Sequence, residues 1–236
     1  MSTFGALYDV MLRLQFNRTR VFALGALGAV GIIVGILLRV ADNVTVSDRI
    51  NFVNGFGLAL VLPVSTLVFA SASFGDLVDD QTLVYLWLRD VPRWRLAASA
   101  ILSTLTIVIP LVALPLVATA AAAELDGDAI LASVVATIVG ALAYTGAFTA
   151  LGLRTKRALA WGLLYIFIWE QFIARAGHSV RRFALSAYTR SVLSKISGVS
   201  IKEADISSFF AVVIPIVVGI VAFMYVTNRL HRHDVA

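Results

Sequence analysis

The sequence predicts an all-α, polytopic membrane protein with six transmembrane helices, and three observations carry that prediction. Hydrophobic residues make up 60% of the 236-residue chain and charged residues only 14%, with a mean hydropathy of +0.92. A soluble domain carries roughly 45–50% apolar and about 25% charged residues. The apolar residues fall in blocks of about 17–25 with little or no charge, the length a helix needs to cross a hydrocarbon core of roughly 30 Å. These blocks and their short loops use nearly the whole chain, which predicts a single transmembrane domain over 1–236 with no separate soluble domain.

Residues 1–20 precede the first block. Phe4, Leu7, Tyr8 and Met11 follow helical spacing, while Asp9, Arg13, Asn17 and Arg20 line another face. That pattern predicts an N-terminal interfacial helix. It has no apolar core ahead of a small-residue cleavage site, so it does not read as a signal peptide. Spans are expected at about 21–40, 56–74, 97–123, 129–153, 158–174 and 208–227. Pro63, Pro110, Pro115 and Pro215 fall within them and predict kinks whose freed backbone groups neighbouring helices must satisfy. Residues 41–55 read as a polar loop, Glu124 to Asp128 as a tight acidic turn and Arg154 to Arg157 as a basic one.

Two longer connections remain, 75–96 and 175–207. In the second, Val180, Phe183, Ala187 and Ser191 share one helical stripe, and Leu185, Tyr188, Val192 and Ile196 a neighbouring one. Gly177 and Gly198 bracket the pattern. It predicts amphipathic outer helices at or dipping into the membrane surface, where the basic residues Arg175, Arg181, Arg182 and Arg190 could meet lipid phosphates.

The net charge of +5 and pI near 9.9 fit loops facing a negatively charged inner leaflet rather than a nucleic-acid partner. With both termini cytoplasmic, the inner segments hold 11 Lys and Arg against 8 outside. The two tightest loops, RTKR inside and ELDGD outside, agree with that orientation.

The connection 75–96 is the most informative stretch. Asp79 and Asp80 precede Thr82, which suits the start of a short helix. Leu83, Leu86 and Trp87 form one apolar face of it. Asp90-Val91-Pro92 then breaks it and opens the third span. A short rigid helix joined by a bend to a span can transmit force from a soluble partner. The same residues also fit an ordinary interfacial loop with Trp87 and Trp94 in an aromatic belt.

On these residues the chain resembles the ABC-2 type transporter permeases, in which an acid and a Thr precede a leucine-rich turn and a Pro-x-Arg leads into span three. Asp80, Thr82, Leu83, Tyr85, Leu86, Leu88, Pro92, Arg93 and Leu96 fit that pattern, with Asp where Glu is common. The six-span layout, the N-terminal amphipathic helix and the polar segment between spans five and six are similar too. The resemblance implies that Asp79, Asp80, Thr82, Leu83, Leu86, Trp87, Arg89, Pro92 and Arg93 form a coupling helix docking on a separate ABC ATPase. It implies outer helices over Arg175 to Ile196, and a second permease such as a copy of this chain. It places the chain in a bacterial inner membrane. There the Asn43-Val44-Thr45 sequon carries no weight. The chain has no G-x-x-x-x-G-K-[ST] loop, so ATP and magnesium would belong to the partner.

Within the spans, Glu170 in IFIWEQFIARA lies near the expected outer end of span five. An intramembrane carboxylate is a candidate for gating or the substrate path. The alternative is a pair with Arg175 or Arg181 that fixes the outer helices. Gly28, Gly31 and Gly35 share one face of span one and allow close helix approach, either within the subunit or at a subunit interface or moving gate. Arg39 can snorkel from the end of span one. His231 and His233 read as a solvated tail rather than a metal site. Without cysteine there are no disulfides or thiolate sites, and no HExxH, acid pair or Ser–His set supports an intramembrane enzyme. The nearly uncharged spans suit export of a lipid, lipophilic drug or other amphiphile. A non-enzymatic membrane subunit of a sensing or assembly complex is the alternative.

Overall fold

The computed structural model describes residues 3–41, 43–79, 92–173, 178–201 and 204–232, which are all-helical with no strand among them. Helix α1 (Thr3–Gln15) buries Leu7 and Met11, as its periodicity predicts. Its last residue, Gln15, is also buried: Nε2 donates to Ser103 Oγ at 2.8 Å and Oε1 accepts from Thr104 Oγ1 at 2.9 Å. Those hydroxyls belong to α5 (Arg93–Ala122), so α1 is tied into the bundle. Asn17 then caps α2 (Arg18–Val40), its side chain accepting from Thr19 N.

The glycine face of α2 packs inside the chain. A methyl at Gly28 would meet the Pro115 ring at 2.7 Å, one at Gly31 the Phe56 ring at 2.8 Å, and one at Gly35 the Thr119 carbonyl oxygen at 2.8 Å. Close packing within the subunit therefore accounts for all three glycines, and none of them faces an open path. The opposite face, with Phe22, Ile33 and Leu37, is exposed.

The second predicted span starts earlier than its hydropathy suggests. Thr45 and Asp48 form a capping box that opens α3 (Val46–Phe52). The helix continues through a π-helical stretch, Val53–Val61, into α4 (Leu62–Asp79). From Val46 onward, the residues read as a loop are thus helical. Arg49 is accommodated because Nη1 donates to the Ala123 carbonyl at 2.8 Å. As described, α4 reaches Asp79, and the residues expected to form a separate short helix beyond it lie outside the described residues. Pro63, without an N–H, cannot return the α-helical bond to the Ala59 carbonyl four residues back.

Helix α5 starts at Arg93 with Pro92 as its N-cap and runs through Pro110 and Pro115 without interruption. It ends with Leu125 N donating to Ala120 O and Glu124 N to Ala121 O, both at 3.0 Å. This is the paired closure of a Schellman turn, with Glu124 in the left-handed region at φ 54° where glycine is usual. Arg39 Nε lies 3.0 Å from Glu124 Oε1, so the end of α2 is held at this turn rather than reaching only for solvent.

Helix α6 (Gly127–Arg154), capped by Asp126 on Ala129 N, is the centre of the molecule and packs on α4, α5, α9 and α10. Small residues permit that crowding: Gly152 lies against the Ser71 backbone, Gly146 against Gly219 and Ala222, and Gly140 against Leu62 and Thr189. The chain then forms α7 (Ala158–Leu164), a second π-helical stretch, Tyr165–Ile173, α8 (His178–Arg181), α9 (Leu185–Ser197) and α10 (Ser208–Arg232). Gly198, at φ 68°, closes α9.

Among the described residues, five helices are long and apolar enough to cross a membrane: Arg18–Val40, Val46–Gly75, Arg93–Ala122, Gly127–Arg154 and Ser208–His231. The segment predicted as span five is the shorter apolar helix Ala158–Ile173. At 1.5 Å per residue it extends at most about 24 Å, short of a core of roughly 30 Å.

The stretch expected to lie at the surface is instead inside the protein. The chain breaks between Arg181 and Leu185, so Val180 and Phe183 do not share a helix with Ala187 and Ser191. Every residue from Ala184 to Leu193 is buried. The polar side chains that made α9 read as amphipathic turn back on its own backbone: Ser191 Oγ donates to Ala187 O and Thr189 Oγ1 to Ser186 O.

Candidate functional site

The segment Ala158–Ile173 buries every fourth residue: Ala158, Gly162, Ile166 and Glu170. Trp161, Leu164, Phe167, Ile168 and Phe172 around that stripe are exposed. Gly162 sets the distance, since a methyl there would fall 2.1 Å from Leu67 Cδ1. The stripe register carries Glu170 to the inside, where it is 2% exposed.

Two donors from different helices meet its carboxylate. Tyr144 Oη donates to Oε2 at 2.6 Å and Leu185 N to Oε1 at 3.1 Å. The Tyr165 hydroxyl and the Ser186 N–H lie close enough to interact with it electrostatically. Leu185 and Ser186 open α9, whose N-cap residue, Ala184, has no side chain able to cap. Glu170 therefore supplies from another segment what a helix N-terminus needs: acceptors for unpaired N–H groups and a negative charge at the positive end of the dipole. Arg190, 6% exposed, lies on α9 within electrostatic reach of Tyr144.

The depth of this cluster follows from α6. Tyr144 stands about 15 Å along the helix from Arg154 and about 25 Å from Gly127, at 1.5 Å per residue. The cluster thus sits within the bundle, with Glu170 three residues from the end of the segment Ala158–Ile173. Of the two arginines expected to pair with it, only Arg181 can be placed. Arg181 pairs instead with Asp205, Nη1 to Oδ2 at 2.9 Å, and Arg175 lies outside the described residues. Arg182 is exposed.

The next residue extends the arrangement. Gln171 Nε2 donates to Ala59 O at 2.8 Å, the carbonyl that Pro63 cannot serve in an α-helix. The two π-helical stretches are thereby joined side chain to backbone. Glu170 and Gln171 together fasten one short helix to α6, to α9 and to the α3–α4 rod. In a low-dielectric interior, satisfied networks of this kind rigidify what they join. A displacement of the segment Tyr165–Ile173 must therefore either carry the start of α9 with it or break buried hydrogen bonds.

Of the other residues singled out from sequence, Asp80, Thr82, Leu83, Leu86, Trp87 and Arg89 lie outside the described residues. Pro92 and Arg93 form the start of α5. Among the described residues no three His, Cys, Asp or Glu side chains cluster to hold a metal. Sequence reasoning missed Tyr144, Tyr165 and Gln171. The available signals were a tyrosine in the middle of an otherwise apolar span and a glutamine beside a membrane carboxylate. The chain matches no family model, no curated protein and no solved structure.

Proposed function

We propose that this chain is the membrane-spanning subunit of an ABC-2 type exporter, moving a lipid, lipophilic drug or other amphiphile with ATP hydrolysed by a separate subunit. The observation that carries the reading is the chain between the fifth apolar segment and α10. It folds back into the bundle as α8 and α9 and is anchored by Glu170, in keeping with the outer helices that the resemblance implies there. In this reading Ala158–Ile173 is a sixth crossing, completed on the outer side by the returning chain. Both termini lie in the cytoplasm of a bacterial inner membrane. The connection after α4 faces two copies of an ABC ATPase, and a second permease, a copy of this chain, completes the transporter.

The test is purification of the tagged chain from its host in mild detergent, followed by mass spectrometry of what co-elutes. A stoichiometric P-loop ATPase is the expected result. Reversing charge at Asp79 and Asp80 (D79K/D80K) should cut its recovery about tenfold or more while the permease still inserts. Equal recovery with the doubly reversed variant removes the coupling assignment. Absence of any ATPase, under conditions that keep other membrane complexes intact, favours instead a subunit of a sensing or assembly complex.

A further inference from the structure

A cavity of about 430 Å³ opens where α8, α9 and the start of α10 meet, lined by Arg181, Arg182, Tyr188, Ser207, Phe210 and Ile214, with Asp205 at its rim. Its two ends differ in chemistry. At the polar end, the Arg181–Asp205 bridge ties α8 to the chain entering α10. That bridge engages Asp205, the one carboxylate lining the cavity among the described residues. Arg182 has no carboxylate partner among the described residues, and its charge is within reach of the Tyr188 hydroxyl on the cavity wall. Ser207 adds a hydroxyl at the same end.

At the other end, Phe210 and Ile214 begin a stripe on α10 that continues through Val217 and Val221, with Phe210, Val217 and Val221 all exposed. Residues at these spacings lie on one helical face. From Phe210 to Val221 the stripe runs about 16 Å toward the middle of the bundle. The polar end is level with the start of α10, where a crossing helix leaves the hydrocarbon. Exposed Phe183 and Phe209 flank it.

A cationic pocket at the boundary, opening onto an uncovered apolar track that runs inward, has the shape and charge of a site for one anionic amphiphile. We infer that it binds an anionic phospholipid of the surrounding leaflet. The phosphate sits against Arg182 and Ser207, and an acyl chain lies along Phe210, Ile214, Val217 and Val221. The volume fits a headgroup and glycerol, within the roughly 300–1,000 Å³ range of small-molecule sites, while the chain occupies the open track. The inference requires only that α10 crosses a membrane, and it is independent of the transporter reading.

The test is native mass spectrometry of the detergent-purified full chain, titrated with phosphatidylglycerol or with phosphatidylcholine of the same acyl chains. Wild type should retain phosphatidylglycerol preferentially. R182Q should bind it about tenfold more weakly, the effect of losing one charge-assisted contact, and should lose the preference over phosphatidylcholine. R13Q, which removes an exposed arginine paired with Asp9 on α1, should bind like wild type. I214W, which fills the apolar end and keeps Arg182, should also weaken binding. Unchanged binding in R182Q overturns the inference, as does an equal loss in R13Q, which would mark attraction to bulk charge. Displacement of the lipid by millimolar inorganic phosphate also overturns it, since the pocket would then hold an anion without regard to the chain.

Discussion

Replacing Glu170 with alanine should release the start of α9 and raise amide exchange at Leu185 and Ser186 by on the order of a hundredfold or more. The carboxylate accepts hydrogen bonds from the Leu185 N–H and the Tyr144 hydroxyl, with the Ser186 N–H and the Tyr165 hydroxyl beside it. Alanine leaves these donors in a buried space that gives them no replacement acceptor. Each orphaned donor costs about 1–3 kcal/mol, and loss of one member of a buried charged network typically costs about 3–5 kcal/mol. At roughly 1.4 kcal/mol per factor of ten, a loss of about 3 kcal/mol exceeds a hundredfold. E170Q keeps the volume and one acceptor but turns an N–H2 toward donors, so it should fall between alanine and wild type. Y144F deletes a single bond and should cost about 1 kcal/mol. Hydrogen–deuterium exchange on the chain in nanodiscs reads all three. If the Leu185 and Ser186 amides of E170A stay as protected as in wild type, Glu170 does not anchor α9. Under the transporter reading, E170Q should also reduce export.

Gly152→Ala should be the most damaging single methyl addition in the bundle. A Cβ at that position falls 2.5 Å from the Ser71 carbonyl oxygen, 2.9 Å from its Cα and 3.1 Å from its carbonyl carbon. All three are backbone atoms, so no side-chain rotation relieves the overlap and α4 must move away from α6. Overpacking typically costs about 1–3 kcal/mol, and a clash against backbone belongs at the upper end. For a chain of this size that corresponds to a drop of roughly 5–10 °C in midpoint. Two comparisons isolate the cause. At Gly57 the nearest atoms are the tip of the Leu116 side chain, which can turn aside, so Gly57→Ala should be milder. Gly25 and Gly55 have nothing within 4 Å, and alanine there should be neutral or slightly stabilising through helix propensity. The readout is the temperature at which the monodisperse peak is lost on size exclusion in detergent. A Gly152→Ala variant as resistant as Gly25→Ala would mean that α4 and α6 do not approach as closely as described.

The parts of this fold legible in the sequence are those governed by hydropathy and by small residues. The ends of α6 fall within two residues of the predicted span because a capping aspartate and a basic turn bound one long apolar block. The glycine face of α2 was visible as a close-approach surface, although its partner, α5, was not. The errors share a physical origin. Hydropathy treats a polar residue as a reason for a segment to end, whereas Arg49 stays in a helix because the Ala123 carbonyl receives its guanidinium. Periodicity treats a polar face as a solvent face, whereas the face of α9 is satisfied by its own carbonyls and by Glu170.

Charge complementarity directed the search for a partner of Glu170 toward Arg175 and Arg181. The donors that hold it among the described residues are the Tyr144 phenol and the Leu185 backbone N–H, which leave no trace in a charge pattern. The start of α3 was the most recoverable case, since Thr45-x-x-Asp48 is a capping box readable without coordinates. The paired role of Pro63 and Gln171 was not recoverable, because the carbonyl one vacates and the other fills lie on segments more than a hundred residues apart.

The burial of α9 constrains the order in which the chain can be built. An arginine at the centre of a helix opposes transfer from the translocation channel into lipid by about 2.5–3.5 kcal/mol, and α9 carries Arg190 and Lys195 with few large apolar residues. It will not leave the channel sideways as a nascent segment. Its resting place is formed by α6, made before it, and by α10, made after it. Docking of α9 is therefore a late event that follows release of the last helix from the ribosome. Until then the Glu170 carboxylate has Tyr144 but not its helix N-terminus. A ribosome stalled before α10 would leave a chain whose earlier spans are inserted and whose Arg190 is still in water. Such a chain would present quality-control proteases with an unpaired membrane carboxylate as the mark of an unfinished protein.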